Sequence, residues 1–210
     1  MKLELDHVLI AVADLAEAAR EFEARYGLTS IEGGRHPGWG TANRIVPLGA
    51  TYLELVAVVD DAEAAQSDFG RWIAGASPSR ARPVGWAVRT QNLDDVAQRL
   101  SLMVRSGSRV TGSGQLLQWR LAGVEQAAVE PSLPFFIEWE QGTRLPGEAP
   151  VTHRAGRVHI GRLELAADGD RVAHWLGPHR LPITVTPGTP SLSRVVLATT
   201  EGDDIILDAR

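Results

Sequence analysis

Three side chains of this 210-residue sequence stand out for the chemistry they can do: His7, Glu54 and Glu138. His7 lies in the apolar run Leu5-Asp6-His7-Val8-Leu9-Ile10. Each Glu interrupts another such run, Tyr52-Leu53-Glu54-Leu55 and Phe136-Ile137-Glu138-Trp139. Burying a polar group without a partner costs about 2–7 kcal/mol, and an unpaired carboxylate more. Each Glu therefore faces either a cleft or the solvent side of a sheet. Alternation along a strand groups Glu54 with Tyr52 and Val56, opposite Leu53 and Leu55, and groups Glu138 with Phe136 and Glu140. If the Leu53 and Leu55 face packs on helices, Glu54 faces the cleft. A lone His in an apolar strand is either a ligand or a satisfied core residue.

Further candidates are concentrated in Arg35-His36-Pro37-Gly38-Trp39-Gly40-Thr41-Ala42-Asn43. Arg35 and His36 can bind an anionic or carbonyl group, Trp39 can cover an apolar one, and Thr41 and Asn43 add neutral donors. The glycines permit close backbone approach. The alternative is a hairpin loop whose polar groups bond their own backbone. Six tryptophans is high for this length. Trp86, Trp119 and Trp139 fall on strands of the second half and serve either a pocket wall or the core.

The elements that must position these residues form a repeat. Residues 3–12 read as a buried strand, and 15–26 as a helix N-capped by Asp14 and ended by Gly27. Strands follow near 29–33, after which 33–40 forms a Gly-rich turn, and at 41–48 and 51–58. The first unit, residues 1–60, is β-α-β-β-β. Residues 61–83 read as a connecting helix, starting at Asp60, and a linker around Pro78. The second unit, 84–142, has a strand at 84–90, a helix at 92–103 and strands near 108–112, 115–122 and 134–140, with Gly112-Ser113-Gly114 as a hairpin turn. A linker spans 143–156. A shortened third copy, 157–210, runs strand, short helix, strand and hairpin, with its turn at Glu201-Gly202-Asp203. Repeated units of this kind pack together and share a concave site.

Composition narrows the partners. A net charge of -5 and a single Lys, at position 2, leave no basic stripe for nucleic acid. The absence of cysteine excludes disulfides, a thiol nucleophile and cysteine-bound metal. No apolar run approaches the roughly 20 residues of a spanning helix, and no signal peptide precedes the first strand, so a cytoplasmic protein without membrane contact is expected. Neither a phosphate-binding loop nor a Gly-x-Ser-x-Gly elbow occurs.

Leu5-Asp6-His7-Val8, Asp14-Leu15, Gly33-Gly34-Arg35-His36, Gly40-Thr41-Ala42-Asn43 and Tyr52-Leu53-Glu54-Leu55 resemble the vicinal oxygen chelate superfamily, and within it the glyoxalase-like domain proteins. The resemblance implies an α+β fold. Paired β-α-β-β-β modules would curl a mixed sheet around a U-shaped cleft, with a degenerate third module beside them. It also implies a divalent metal (Zn, Fe, Mn or Ni) held by residues of the first and last strand of each module. Carried over position by position, these are His7, Glu54 and Glu138, with the fourth falling on Gly85, which has no side chain. On this reading Glu138 doubles as the catalytic base, and the protein is a metal-assisted lyase, isomerase or dioxygenase on a small oxygenated substrate. The alternative is a metal-free binding protein of the bleomycin-resistance type. The pocket expected is bounded by Arg35, His36, Trp39, Thr41, Asn43, Trp86 and Trp139, with space at Gly85 for substrate or water. The partner is a small molecule, and a homodimer is left open.

Overall fold

Which face each strand buries decides the architecture. In the computed structural model, which describes residues 2–76, 80–112, 114–200 and 202–209, apolar side chains of the central strands alternate between two separate cores. Strands Glu4–Ala11 (β1), Tyr52–Val58 (β4), Arg82–Arg89 (β5) and Phe135–Trp139 (β8) send Val8, Ile10, Leu53, Leu55, Trp86, Val88 and Phe136 outward, to a helix-covered layer. The same strands send Leu9, Ala11, Val56, Ala87, Phe135 and Ile137 inward, to a second apolar cluster.

The first module is β1, helix Leu15–Tyr26 (α1), Ile31–His36 (β2), Thr41–Pro47 (β3) and β4. The α1 boundaries follow from its caps. The Asp14 side chain accepts from the Glu17 amide, and Gly27, at φ 66°, supplies the left-handed residue that closes the last turn onto Glu23 and Phe22. The second module is β5, Leu93–Leu100 (α4), Val104–Val110 (β6), Leu116–Ala122 (β7) and β8, with an extra helix, Val124–Val129 (α5), before β8. Together they form one eight-stranded mixed sheet in the order β2-β3-β4-β1-β5-β8-β7-β6. The sheet curls until its edges nearly meet: a Cβ on Gly34 of β2 would lie 2.2 Å from the Val110 carbonyl oxygen of β6.

Two sequence expectations shift here. The first half of the Gly-rich segment expected as a turn over 33–40 is strand, because Gly34, Arg35 and His36 pair with β3, and the turn itself is confined to 37–40. The connecting helix is two pieces, Asp61–Ala64 (α2) and Asp68–Gly75 (α3). Ser67 interrupts it by capping α3 through the Gly70 amide. The linker residues 77–79, the turn residue Ser113 and Glu201 lie outside the described residues.

The strands Val158–Ala166 (β9), Ile183–Thr186 (β10), Ser191–Thr199 (β11) and Ile205–Asp208 (β12), with helix Gly169–Leu176 (α6) between β9 and β10, make a second sheet ordered β10-β9-β11-β12. Leu163, Leu165, Val195 and Leu197 of this sheet join the outer core with Val8, Ile10, Trp86 and Val88. No helix among the described residues is long and apolar enough to cross a membrane.

Trp175 of α6 ties the two sheets together. Its ring lies 6.0 Å from Phe136, and its Nε1 donates to the Pro134 carbonyl at 2.9 Å. Trp175→Ala should lower the unfolding free energy by about 3–5 kcal/mol. Denaturant titration followed by circular dichroism measures this, and a loss below 1 kcal/mol would show that α6 docks without depending on the indole.

Candidate functional site

The parallel pairing of β1 with β4 sets His7 beside Tyr52 and Leu9 beside Glu54. His7, Tyr52 and Glu54 all turn into the curled sheet, where they are nearly fully buried. The His7 ring stacks on Tyr52 at 4.6 Å, and the Phe135 edge meets it at 5.5 Å. His7 Nε2 lies 3.4 Å from Glu54 Oε2. On the other side of the ring, Nδ1 is 2.6 Å from Asp6 Oδ1. Strict alternation would send Asp6 to the opposite face from His7. A register shift between Leu5 and His7 in the pairing with β5 bends the strand there and brings Asp6 to the imidazole. Trp139 Nε1 donates to Asp6 Oδ2 at 3.0 Å, and Arg89 stands 3.6 Å from the same oxygen. Asp6 is thereby satisfied and fixes the His7 ring. Burial and the negative charges of Asp6 and Glu54 hold the Tyr52 phenol well above its ordinary range.

A second imidazole completes the cluster. His36 packs against Trp39, Phe69 and Trp119. Burial, reinforced by Arg109 and His7 against the opposing pull of Glu54, pushes its pKa down to about 4. The ring is therefore neutral near pH 7, and its neighbours fix the tautomer. Asn43 Nδ2 donates to Glu54 Oε1 at 2.8 Å and lies 3.2 Å from His36 Nε2. Nε2 must accept there, so Nδ1 carries the proton and donates to Thr41 Oγ1 at 2.9 Å. The Asn43 amide thus bridges a neutral imidazole and the Glu54 carboxylate.

These side chains enclose a cavity of about 30 Å³, walled by Trp39, Phe69, Trp119, Leu121, Phe135, Ile137 and Trp139 and reached by Arg109. Of the residues expected at the site, His7, Glu54, His36, Trp39, Asn43 and Trp139 meet here, with Thr41 beneath His36.

Three expected residues do not. Glu138 lies on the outer face with Phe136, where its carboxylate binds the Arg120 guanidinium and accepts from the Leu93 amide at the start of α4. It stands one residue out of phase with Ile137 and Trp139, which face the cavity. Its expected convergence with His7 and Glu54 is therefore corrected, and with it the basis for its role as metal ligand and base. Trp86 is wholly buried in the outer core, with Nε1 bonded to the Ser132 carbonyl. Arg35 is exposed and paired with Asp60 and Glu63. Asp6, Phe135 and Arg109 escaped the sequence reading, which placed Tyr52 on the face of Glu54 but gave it no role. An Asp beside a His inside an apolar strand was the visible signal for the first. Nothing in the sequence marked Arg109.

Residues 5–181 match the family model for the glyoxalase-like domain, and the chain belongs to that family. A hypothetical protein from Staphylococcus aureus has a similar crystal structure, with a TM-score of 0.73 over 95% of this chain and 92% of that one, at 15% identity. Methylmalonyl-CoA epimerase from Mycobacterium tuberculosis matches at a TM-score of 0.45, 19% identity and 66% of this chain against 88% of that one. Another methylmalonyl-CoA epimerase, in complex with methylmalonyl-CoA and NH4+, gives 0.48, at 17% identity and 68% against 97%. No curated protein matches the sequence. The family and the epimerases fall within the vicinal oxygen chelate superfamily, whose members often use a divalent metal.

The donor set does not fit such a metal. In the pairing of β1 with β5, Val8 lies opposite Trp86, Leu9 opposite Gly85 and His7 opposite Ala87. A local two-fold through Val8 and Trp86 therefore exchanges His7 with Gly85 and Leu9 with Ala87. Leu9 lies beside Glu54, and Ala87 beside Phe135. The second-module counterpart of Glu54 is thus Phe135, not Glu138. Nor is Gly85 a gap: a Cβ there would lie 2.4 Å from the Trp72 ring of α3, so the indole fills the hollow expected for substrate or water. Among the described residues no group of three or more His, Cys, Asp or Glu side chains is placed to hold a metal ion.

Two outcomes follow. Gly85→Ala should destabilise the fold by about 1–3 kcal/mol through overpacking against Trp72, and combining it with Trp72→Leu should recover much of that loss. Equal stability of wild type and Gly85→Ala in urea would mean that the indole has room to move. Because the folded His36 pKa, about 4, lies below its ordinary value of 6.5, the unfolded chain binds more protons between these values. Stability is then full above pH 6.5 and falls by up to about 3 kcal/mol as pH drops to 4. His36→Gln should flatten this window in melts taken across pH, and an unchanged slope would place the acid sensitivity elsewhere.

Proposed function

We propose that this protein is a metal-independent small-molecule-binding member of the glyoxalase-like family, with the Asp6–His7–Glu54 and Asn43–His36 cluster as its polar contact surface. The observation that carries this reading is the occupation of both second-module ligand positions by Gly85 and Phe135, with Trp72 seated over the former. Aromatic walls around a few oriented polar groups, in a cavity of about 30 Å³, suit the oxygenated end of a ligand whose body lies outside it. Buried Glu54 and the Nε2 of His7 present acceptor and ring nitrogen side by side, so a hydroxyl or enolisable carbonyl held there would meet both. A second reading, proton transfer at such a carbonyl, is favoured by the Asp6 bond to Nδ1. That contact orients the His7 ring as in acid–base catalysis, and Glu54 is the group placed to take the proton.

Metal analysis of protein purified without chelator, for wild type, His7→Ala and Glu54→Ala, tests the proposal. The expected result is sub-stoichiometric metal in all three and a melting temperature unmoved by EDTA or by added Zn, Mn, Ni or Fe. One equivalent of metal in the wild type that disappears in Glu54→Ala would overturn it.

A further inference from the structure

Arg109 of β6 points inward with its pairing partner in β7, Leu117, and is only 3% exposed. Its Nη1 is buried and has no hydrogen-bond partner among the described residues. A guanidinium carries five donors and no acceptor, and leaving such a charge unpaired in a protein interior is costly. The charge is felt inside the site, where it helps to depress His36. Arg109 lies between two spaces. One is the small cavity at Glu54 and His36. The other is a cleft of about 470 Å³ along the β2–β6 seam, with apolar walls from Ile31, Ile45, Leu117, Leu145 and Pro146. The two spaces adjoin, since Ile45 pairs directly with Glu54 across β3 and β4.

We propose that Arg109 anchors the carboxylate of a small monocarboxylic acid whose apolar body lies in the seam cleft. This rests on reading the site as a small-molecule pocket. A carboxylate matches the planar fork of a guanidinium and supplies the acceptor that Nη1 lacks among the described residues. A single negative charge is favoured over two. Glu54 already places one carboxylate on this cavity, Glu32 places another on the cleft, and Arg109 is the buried cation they share. The other arginine of the cleft, Arg144, is exposed and donates to the Glu148 carbonyl. The volume of the cleft lies within the range of small-ligand sites.

Phenylacetate and its neutral analogue phenylacetamide are the probes, titrated in EDTA against tryptophan fluorescence, which Trp39, Trp119 and Trp139 report from the cavity wall. Phenylacetate should bind at least about tenfold more tightly than the amide, the loss expected when a charge-assisted bond becomes a neutral one. Arg109→Gln should abolish that preference. Arg109→Met should also abolish it while melting no lower than the wild type without ligand, because it removes a buried guanidinium whose Nη1 has no hydrogen-bond partner among the described residues. A role for Arg109 confined to the fold would instead lower the melting temperature of both variants. Equal affinity for acid and amide, no binding of any monocarboxylate from acetate to phenylacetate, tighter binding of inorganic phosphate, or a preference that survives Arg109→Gln would each overturn the proposal. Acid binding that appears only on adding metal, but keeps its dependence on Arg109, would instead count against the metal-independent reading and leave the anchor standing.

Discussion

The contact on which the rest of the site depends is the Trp72 indole lying over Gly85. In a curled sheet with two-fold related modules, whatever stands at one first-strand position is matched by its counterpart across the β1–β5 pair. Here the first module places His7 inward and the second places no side chain, and the indole closes within 2.4 Å of where a Cβ would be. That requirement fixes α3 against the inner face and brings Phe69 and Ile73 with it. The interior is thereby divided into a polar half, built from β1 to β4, and an apolar half, built from β5, β7, β8 and α3.

The polar half survives burial because nearly every group in it has a partner. Asp6 receives Trp139 and faces His7, the Asn43 amide serves both Glu54 and His36, and Thr41 closes the chain. A network satisfied in this way is rigid, and its bonds gain strength in surroundings that exclude water. The Asn43 carbonyl oxygen and Arg109 Nη1 are the exceptions. They lie on the β2–β6 side of the cluster, where the sheet is open to a ligand-sized cleft. The Asn43 oxygen faces the Gly33 backbone, where even a Cβ would collide at 1.9 Å, so strand β2 itself hems it in.

Much of this was legible in the sequence. Alternation along β4 grouped Glu54 with Tyr52, opposite the Leu53 and Leu55 face that packs on the outer core, whereas His7 was placed by the resemblance alone. The caps at Asp14 and Gly27 set α1 to the residue. What failed did so through register. Aligning the closing strands by their single Glu treated Glu138 as the counterpart of Glu54, three residues from Phe135, which truly matches it. An odd offset reverses the face of every side chain. Glu138 sits in an apolar run for a different reason: Arg120 and the first turn of α4 neutralise it on the outer face. Asp6 was hidden by the opposite effect, a local irregularity that overrides alternation. Arg109 was invisible because β6 has an unremarkable polar sequence, and only closure of the sheet against Gly34 buries it.

The division between the halves also bears on how a ligand would be held. In a symmetric pair of modules, donors converge from both sides on a point near the two-fold axis, the arrangement a metal ion needs. Here the imidazoles and carboxylates come from the first module only, and the facing wall is Phe135, Trp119 and Leu121, with Arg109 as the charge the second module adds. Those three side chains offer contact but no charge, so they suit the apolar part of a molecule. On the reading proposed above, a ligand would lie with its oxygenated end toward Glu54, His7 and Arg109 and its body against the aromatic ring faces or the seam. On that reading, Gly85 and Phe135 at the second-module positions do more than leave a metal without donors. They would leave a surface with a polar and an apolar side, which could orient an organic ligand without an ion between.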